Sequence, residues 1–343
     1  MQDIALIAGS SHHDLARLIA QYLGIAVTPT KLGKFSNMET RVEIQKSVRN
    51  KHVYILQSGG GNVNDDLIEL LIIIQACRFG SAEKISVVTP LLMYSMPMAL
   101  RKEPLVENID TKIVTGYKSW EARPGRLITN LLEAAGTNHL IAMDLHQSEY
   151  QGFFSIPVDI VYAEPVIIEY IRKKIPNYQN AVVVSPDAGG AKRAASICNK
   201  LDLQFALIHN TNQTTSPLDT SNGVYHRGSC FIGDAVDRPI ILIDDISITG
   251  NTLDKAADIL KRGYCADIYA IVIHGCFTNK CVELLETSPI TRVACTNSIA
   301  LNECVLNSPK IDVIDVSVIL GETIRRTFNG ESVSQLYNRD TFE

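Results

Sequence analysis

The stretch ILIDDISITGNT, residues 241–252, decides how this chain folds. Three branched apolar residues run directly into two adjacent carboxylates, Asp244 and Asp245. A turn carrying Ser247, Thr249, Gly250, Asn251 and Thr252 follows. An apolar run without alternation predicts a strand buried on both faces, the kind that parallel sheets use. The next helix is predicted to begin near Thr252 and Leu253, so its first free amides face the turn. Amides and hydroxyls at such a helix start cradle a phosphate. Carboxylates just ahead of them suit sugar hydroxyls, or a divalent ion shared with the phosphate. The plainer alternative is an acidic helix cap with a solvated turn, but paired carboxylates straight after ILI favour the phosphate site. No GxxxxGK[ST] sequence occurs, so the site is not of the P-loop kind.

Outward from this stretch, short apolar runs alternate with helical ones along the whole chain. Strands are predicted at IALIAG (4–9), HVYILQS (52–58), KISVVTPL (84–91) and HLIAMDL (139–145). Further strands are predicted at AVVVSP (181–186), FALIH (205–209), IILID (240–244), IYAIVIHG (268–275) and RVACTN (292–297). Helices are predicted at 65–78, 126–135, 164–174 and 253–261. This order predicts an α/β protein with mainly parallel sheets flanked by helices. The halves repeat one pattern: MDLH (143–146) in the first, SPDAGG (185–190) and IDDISITG (243–250) in the second, each at a predicted strand end. Ligands of open parallel sheets bind beyond those carboxyl ends. The aromatic pair Phe153 and Phe154 is read as core.

A length of 343 residues exceeds one typical core, so two domains are expected. A hydrophobic content of 46%, with 20% charged residues, is ordinary for a soluble protein. The net charge of −5 argues against a general nucleic-acid binder, which needs a basic surface. Eight cysteines are scattered without a CxxC pair, which favours reduced core thiols over a metal site. The start MQDIALIAGSSHHDL has neither a basic segment nor an apolar core of the secretory type. LIELLIIIQA (67–76) is too short to span a bilayer and reads as a buried helix. A soluble cytoplasmic protein with no membrane partner is expected.

Several longer blocks now matter together: KFSNMETRVEIQKSVRNKHVYILQS (34–58), MDLHQSEYQGFFSIPVD (143–159), VVVSPDAGGAKRA (182–194) and IRRTFNGESVSQLY (324–337). With the opening stretch, they resemble, in order, the blocks of the ribose-phosphate pyrophosphokinase family, which makes 5-phosphoribosyl 1-diphosphate (PRPP). The resemblance runs over nearly the whole chain. It implies two tandem type I phosphoribosyltransferase-like domains, residues 1–161 and 162–327, with 328–338 packing back on the first. It also implies transfer of the β,γ-diphosphoryl group of MgATP to the 1-hydroxyl of ribose 5-phosphate, for nucleotide biosynthesis. Position by position, Phe35, Asn37 and Glu39 resemble an ATP-binding loop that reaches a neighbouring subunit. Asp144, His146 and Asp187 resemble the Mg²⁺ ligands; His146 alone would more often be structural, and MDLH with SPDAGG carries the metal reading. Asp187, Asp244, Asp245, Ser247, Thr249, Gly250, Asn251 and Thr252 resemble the ribose 5-phosphate site. Ser47, Arg49, Ser148, Gln151, Asp159, Ser332 and Ser334 fall where the family binds phosphate or ADP as regulators. Homologous subunits in a homo- or hetero-oligomer are the implied partners.

The sequence departs from that family in three places. Diphosphoryl transfer needs preorganised positive charge around the moving phosphates. Met96 and Pro97 stand where an Arg-Gln pair is expected, within PLLMYSMPMALRKE (90–103), and Arg101 and Lys102 are the first cations there. Asn210 and Asn212 occupy the basic positions expected after FALIH. Ile248 stands beside the sugar where the family commonly has Asp. Neutral side chains cannot reproduce an arginine's two-point grip on phosphate. These departures favour a non-catalytic or regulatory subunit. The alternative is an active enzyme whose long loop after residue 96 supplies Arg101, Lys102, Lys112 or Lys118 instead. A PRPP-dependent transferase or PRPP sensor shares the turn but leaves FSNMET, SPDAGG and NGESVSQLY unexplained.

Overall fold

The apolar runs become strands, and the computed structural model describes them within residues 3–95, 124–210, 223–226, 229–262 and 266–337. In the first half, in chain order, these are β1 (Ile4–Ala8), α1 (His13–Leu23), β2 (Thr30–Lys34), β3 (Thr40–Ile44), β4 (His52–Leu56) and α2 (Val63–Phe79). Then come β5 (Lys84–Thr89), α3 (Gly125–Ala135), β6 (His139–Met143), β7 (Val158–Val161) and α4 (Glu164–Lys174). The second half opens with β8 (Val182–Ser185), α5 (Ala191–Leu201), β9 (Gln204–Asn210), β10 (Gly223–His226), β11 (Ser229–Ile232) and β12 (Ile240–Ser247). It ends with α6 (Asn251–Arg262), β13 (Ile268–Gly275), α7 (Asn279–Thr287), β14 (Arg292–Thr296), α8 (Glu303–Asn307), β15 (Ile311–Ile314) and α9 (Ser317–Asn329).

Among the described residues there are two large sheets and one hairpin. The first sheet has the order β1-β4-β5-β6-β7 and is parallel throughout. The second has the order β10-β11-β9-β8-β12-β13-β14-β15, parallel except at one edge, where β10–β11 and β11–β9 are antiparallel, while β2 and β3 pair separately. Successive strand residues face opposite sides of a sheet. In β4, Val53 and Ile55 therefore face the α2 and α3 layer, while Tyr54 and Leu56 face the other way. In β12, Ile240 and Leu242 face the α6–α7 layer, and Ile241 and Ile243 join the cluster shared with the first sheet. That shared cluster also takes in Leu15 and Ile19 of α1, Ile167 and Ile171 of α4, Ile197 of α5, and Leu320 and Ile324 of α9. One apolar core thus joins the inner faces of both sheets.

Several expectations need correcting. β12 does not stop at Asp244: it runs to Ser247, because β13 continues beside it and pairs Asp244 with Val272 and Ile246 with His274. Helix α6 starts at Asn251, one to two residues earlier than predicted. The run 67–76 lies in α2, but only one side is buried; Ile68 is 48% exposed and Phe79 at the helix end 83%. Phe153 is exposed, and only its neighbour Phe154 packs on a core. Cys77, Cys198, Cys281 and Cys295 are buried as expected, whereas Cys276 is half-buried and Cys304 exposed. Helix α9 packs against α1, where the Tyr22 hydroxyl donates to Glu322 at 3.0 Å. In the following turn, the Tyr337 hydroxyl lies 3.4 Å from the Ile160 carbonyl of β7, and Lys200 of α5 donates to the Tyr337 carbonyl at 3.3 Å. Among the described residues, no helix is long and apolar enough to cross a membrane. Met96, Arg101, Lys102, Lys112, Lys118 and Asn212 lie outside the described residues.

Candidate functional site

Alternation along β12 sends the two carboxylates in opposite directions. Asp245 follows the side of Ile241 and Ile243, toward the first sheet, and Asp244 follows Ile240 and Leu242. The end of β6 comes to meet Asp245. The residue after that strand, Asp144, has φ +39°, a left-handed conformation that Asp tolerates better than most residues. It bends the chain so that His146 Nδ1 hydrogen-bonds the Asp245 carboxylate. Arg193, in the first turn of α5, completes the cluster with Nε 3.6 Å from Asp144 Oδ1 and Nη2 3.9 Å from Asp245 Oδ2. Asp144 also accepts from the Ala163 amide at 2.6 Å.

Charge is shared unevenly across this cluster. Burial and the adjacent Asp245 push the Asp244 carboxyl up to about 8, so Asp244 carries the pair's proton. Burial would also raise Asp245, but His146 and Arg193 overcome it and hold that carboxylate at about 2. The bond to Asp245 raises the His146 imidazole above its ordinary value. Asp144 is lifted to about 6 by burial, despite Arg193. The result is an ionised Asp245, held between His146 and Arg193, beside a protonated Asp244.

The phosphate-type turn follows directly. Gly250 has φ +76°, and a Cβ there would stand 2.9 Å from Cys281 Sγ, so both backbone and space require glycine. Thr249, Asn251 and Thr252 are exposed at the start of α6, while Ser247 is buried. Thr278 holds the turn from behind by donating its amide to the Ile248 carbonyl at 3.3 Å, and the Ile248 side chain is 42% exposed. Asp187 lies at the end of β8, where its Oδ1 accepts from Gly190 N at 2.9 Å, and its charge acts on both His146 and Asp244.

Buried polar bonds knit the two sheets around this cluster. His274 of β13 donates from Nε2 to the Met143 carbonyl at 3.2 Å and accepts at Nδ1 from Ser298 at 2.8 Å, and burial lowers its pKa to about 4. His12, which caps α1, donates to the Asn297 carbonyl at 2.8 Å, and Ser58 donates to the Ser298 carbonyl at 2.7 Å. Arg193, His274 and Ser298 were not singled out from the sequence. Arg193 sits inside the SPDAGGAKRA block, and its place in the first turn after a strand-end Asp was the available signal.

The other predicted residues are placed elsewhere. Phe35, Asn37 and Glu39 form the exposed tip between β2 and β3, where Asn37 accepts from the Glu39 amide at 3.2 Å. Ser47 and Arg49 lie together after β3, linked at 3.4 Å. Ser148 and Gln151 belong to one short 3-10 turn, and Asp159 accepts from His139 at 3.0 Å. Ser332 and Ser334 bond each other at 2.8 Å. Among the described residues, no hydrogen bond or ion pair joins these groups to the strand-end cluster. Asn210 closes β9.

Among the described residues, no three His, Cys, Asp or Glu side chains gather as a ready-made metal site. Asp144 is turned toward Arg193 and Ala163, and His146 Nδ1 is taken by Asp245. The exposed Asp187 and the second nitrogen of His146 are left as donors. That set fits a Mg²⁺ arriving with its substrate's phosphates, which keeps most of its ligands as water and phosphate oxygen. It does not fit a metal held by protein alone.

Parallel sheets meeting over paired carboxylates, with a glycine turn opening a helix beside them, define a protein of the phosphoribosyltransferase-like class. Residues 4–117 match the family described as the N-terminal domain of ribose phosphate pyrophosphokinase, and 227–338 match the phosphoribosyl synthetase-associated domain. The structure superposes on phosphoribosylpyrophosphate synthetase from Mycobacterium smegmatis with TM-score 0.81 and 28% identity, covering 96% of this chain and 99% of that one. An orotate phosphoribosyltransferase from Aeropyrum pernix matches far less, with TM-score 0.30, 17% identity, and coverage of 50% of this chain and 76% of that one. The chain belongs to the ribose-phosphate pyrophosphokinase (PRPP synthetase) family.

Proposed function

We propose that this chain is a ribose 5-phosphate-binding subunit of a PRPP synthetase assembly that performs little diphosphoryl transfer by itself. The observation that carries this reading is the strand-end cluster: Asp244, Asp245 and the turn to Thr252 provide a sugar-phosphate cradle, but its described cation, Arg193, is engaged by Asp144 and Asp245. The sequence adds no cation at Met96, Asn210 or Asn212. Loss of one preorganised donor at a charge-developing site typically costs about 10²–10³ in rate, so several losses together remove most turnover.

In this reading the Ser247–Thr252 turn and the first amides of α6 hold the 5-phosphate, and ionised Asp245 accepts a ribose hydroxyl. Asp187 and His146 are the residues that would hold Mg²⁺, which neutralises phosphate charge when bound. Phe35, Asn37 and Glu39 present the hairpin tip to a homologous subunit's ATP. Phosphate and ADP act at Ser47, Arg49, Ser148, Gln151, Asp159, Ser332 and Ser334. The apolar outer side of α2, with Ile68 and Phe79, is a surface on which such a subunit can pack.

The test is a PRPP-formation assay on the purified chain, alone and mixed with a catalytically competent homologous subunit. The expected outcome is ribose 5-phosphate binding with turnover near background when alone, and altered activity or regulation of the partner in the mixture. Turnover at an ordinary enzyme rate by the chain alone would overturn the non-catalytic reading and point to the cations of residues 101–118.

A further inference from the structure

The outer face of the β2–β3 hairpin holds a hollow of about 450 Å³, bordered by Lys31, Arg41, His13 and the backbone around Gly33. Register explains its composition. Gly33 pairs with Arg41 and Lys31 with Glu43, so these four residues share one face, while Leu32, Val42 and Ile44 pack on the core by α2. Lys34, on the inner face, sends its ammonium to Asp65 at 2.8 Å.

Gly33 is the telling residue. Its φ lies outside the left-handed region, and nothing stands within 4 Å of where a Cβ would be. Neither backbone nor packing requires glycine there, and glycine inside a strand weakens it unless a ligand or another backbone approaches closely. Its missing side chain forms the floor between the two cations. Lys31 makes no hydrogen bond or ion pair among the described residues. Arg41 donates one bond to Glu43 at 2.9 Å and keeps its remaining guanidinium donors, with Cζ 5.9 Å from the Phe35 ring centre. The acidic group on the same hairpin face is Glu43, held by Arg41.

We propose that this hollow binds the phosphate of a small phosphorylated molecule, separately from the strand-end cradle. Arg41 takes two phosphate oxygens in its planar fork, releasing Glu43, and Lys31 adds a point charge across the glycine floor. The volume lies in the range of small-molecule sites, about 300–1,000 Å³. A sugar phosphate and a nucleotide share this chemistry, so the experiment separates them.

The full chain is titrated calorimetrically with inorganic pyrophosphate at low salt, and the same is done with Lys31→Ala/Arg41→Gln and with Gly33→Val. Circular dichroism and thermal unfolding check that each variant is folded. In the unaltered chain a hairpin site is expected in addition to the cradle and the regulatory phosphate site, and each variant should lose at least tenfold in affinity at that one site only. Gly33→Val keeps every charge, so its effect reports occupancy of the floor rather than net charge. Unchanged stoichiometry and affinity in either folded variant would overturn the proposal, as would a single site abolished by Thr252→Val alone. Displacement of pyrophosphate from the hairpin site by ribose 5-phosphate identifies a sugar phosphate, and displacement by metal-free ATP a nucleotide. Displacement by neither would also overturn it. Failure here leaves the strand-end reading intact, because that cradle is altered by none of the hairpin substitutions.

Discussion

Asp244 is the residue whose protonation most separates the folded from the unfolded chain near neutrality. Its folded pKa is raised to about 8, so the folded chain holds a proton that the unfolded chain has released above the ordinary carboxylate range. Stability from this group is therefore full at low pH and is lost as pH rises through about 8. The His146 imidazole, also raised, acts in the same direction. Thermal unfolding should weaken between pH 6.5 and 8, by at most about 1.4 kcal/mol per pH unit for each proton involved. Asp244→Asn should flatten that slope and raise the midpoint at pH 8; an unchanged slope would mean that Asp244 is ionised in the folded chain. Ile248 carries the opposite lesson. Its exposed side chain lies on the turn at no evident benefit to packing. Ile248→Asp should therefore fold normally and tighten ribose 5-phosphate binding by roughly tenfold, the worth of one good charged hydrogen bond. Isothermal titration reads this directly.

At the scale of elements, the turn between β12 and α6 is tightly constrained by its backbone. Gly250→Ala would force a side chain into the left-handed region and against Cys281 Sγ at 2.9 Å. The expected loss is about 1–3 kcal/mol of stability, with weaker phosphate binding, measured by denaturant unfolding and calorimetry. This turn was legible in the sequence because strand, carboxylates, glycine and hydroxyls are contiguous. The buried strands were legible for the same reason, since unbroken runs such as VVV in β8 leave few alternatives. The β2–β3 hairpin was not, because TKLGK and TRVEI mix charges with only one and two apolar residues, and their pairing depends on the surface of α2. The end of β12 is not legible in the sequence, because carboxylates read as strand terminators, whereas neighbouring β13 continues the ladder beyond them. The role of Arg193 is not legible in the sequence, because its two partners lie about 50 residues away on either side, a juxtaposition that only the meeting of two sheets creates.

The whole molecule is organised around the core that both sheets share, and this decides how it unfolds. Helix α9 comes last in the chain, yet it packs on α1, which follows the first strand. Its Ile319, Leu320 and Ile324 are fully buried in the common cluster. From the other side, the buried Tyr54 hydroxyl of β4 reaches Thr327 at 3.0 Å. The ends of the chain therefore close one apolar layer between the sheets. The His274 bond to Met143 and the His146–Asp245–Arg193 group tie the same sheets at their carboxyl edges. A chain built this way should unfold as a unit, because neither half can lose its inner face without exposing the other's. Leu320→Ala tests it. The truncation should cost about 2–5 kcal/mol, the usual range for a buried leucine, against a total of about 5–15 kcal/mol for a folded protein. Calorimetry should still show one transition, shifted down as a whole, with probes in both halves melting together. Hydrogen exchange in β4 and in β12 is a suitable pair of reporters. If β12 kept its protection while β4 lost it, the halves would be separable domains, and the shared layer only a contact between them.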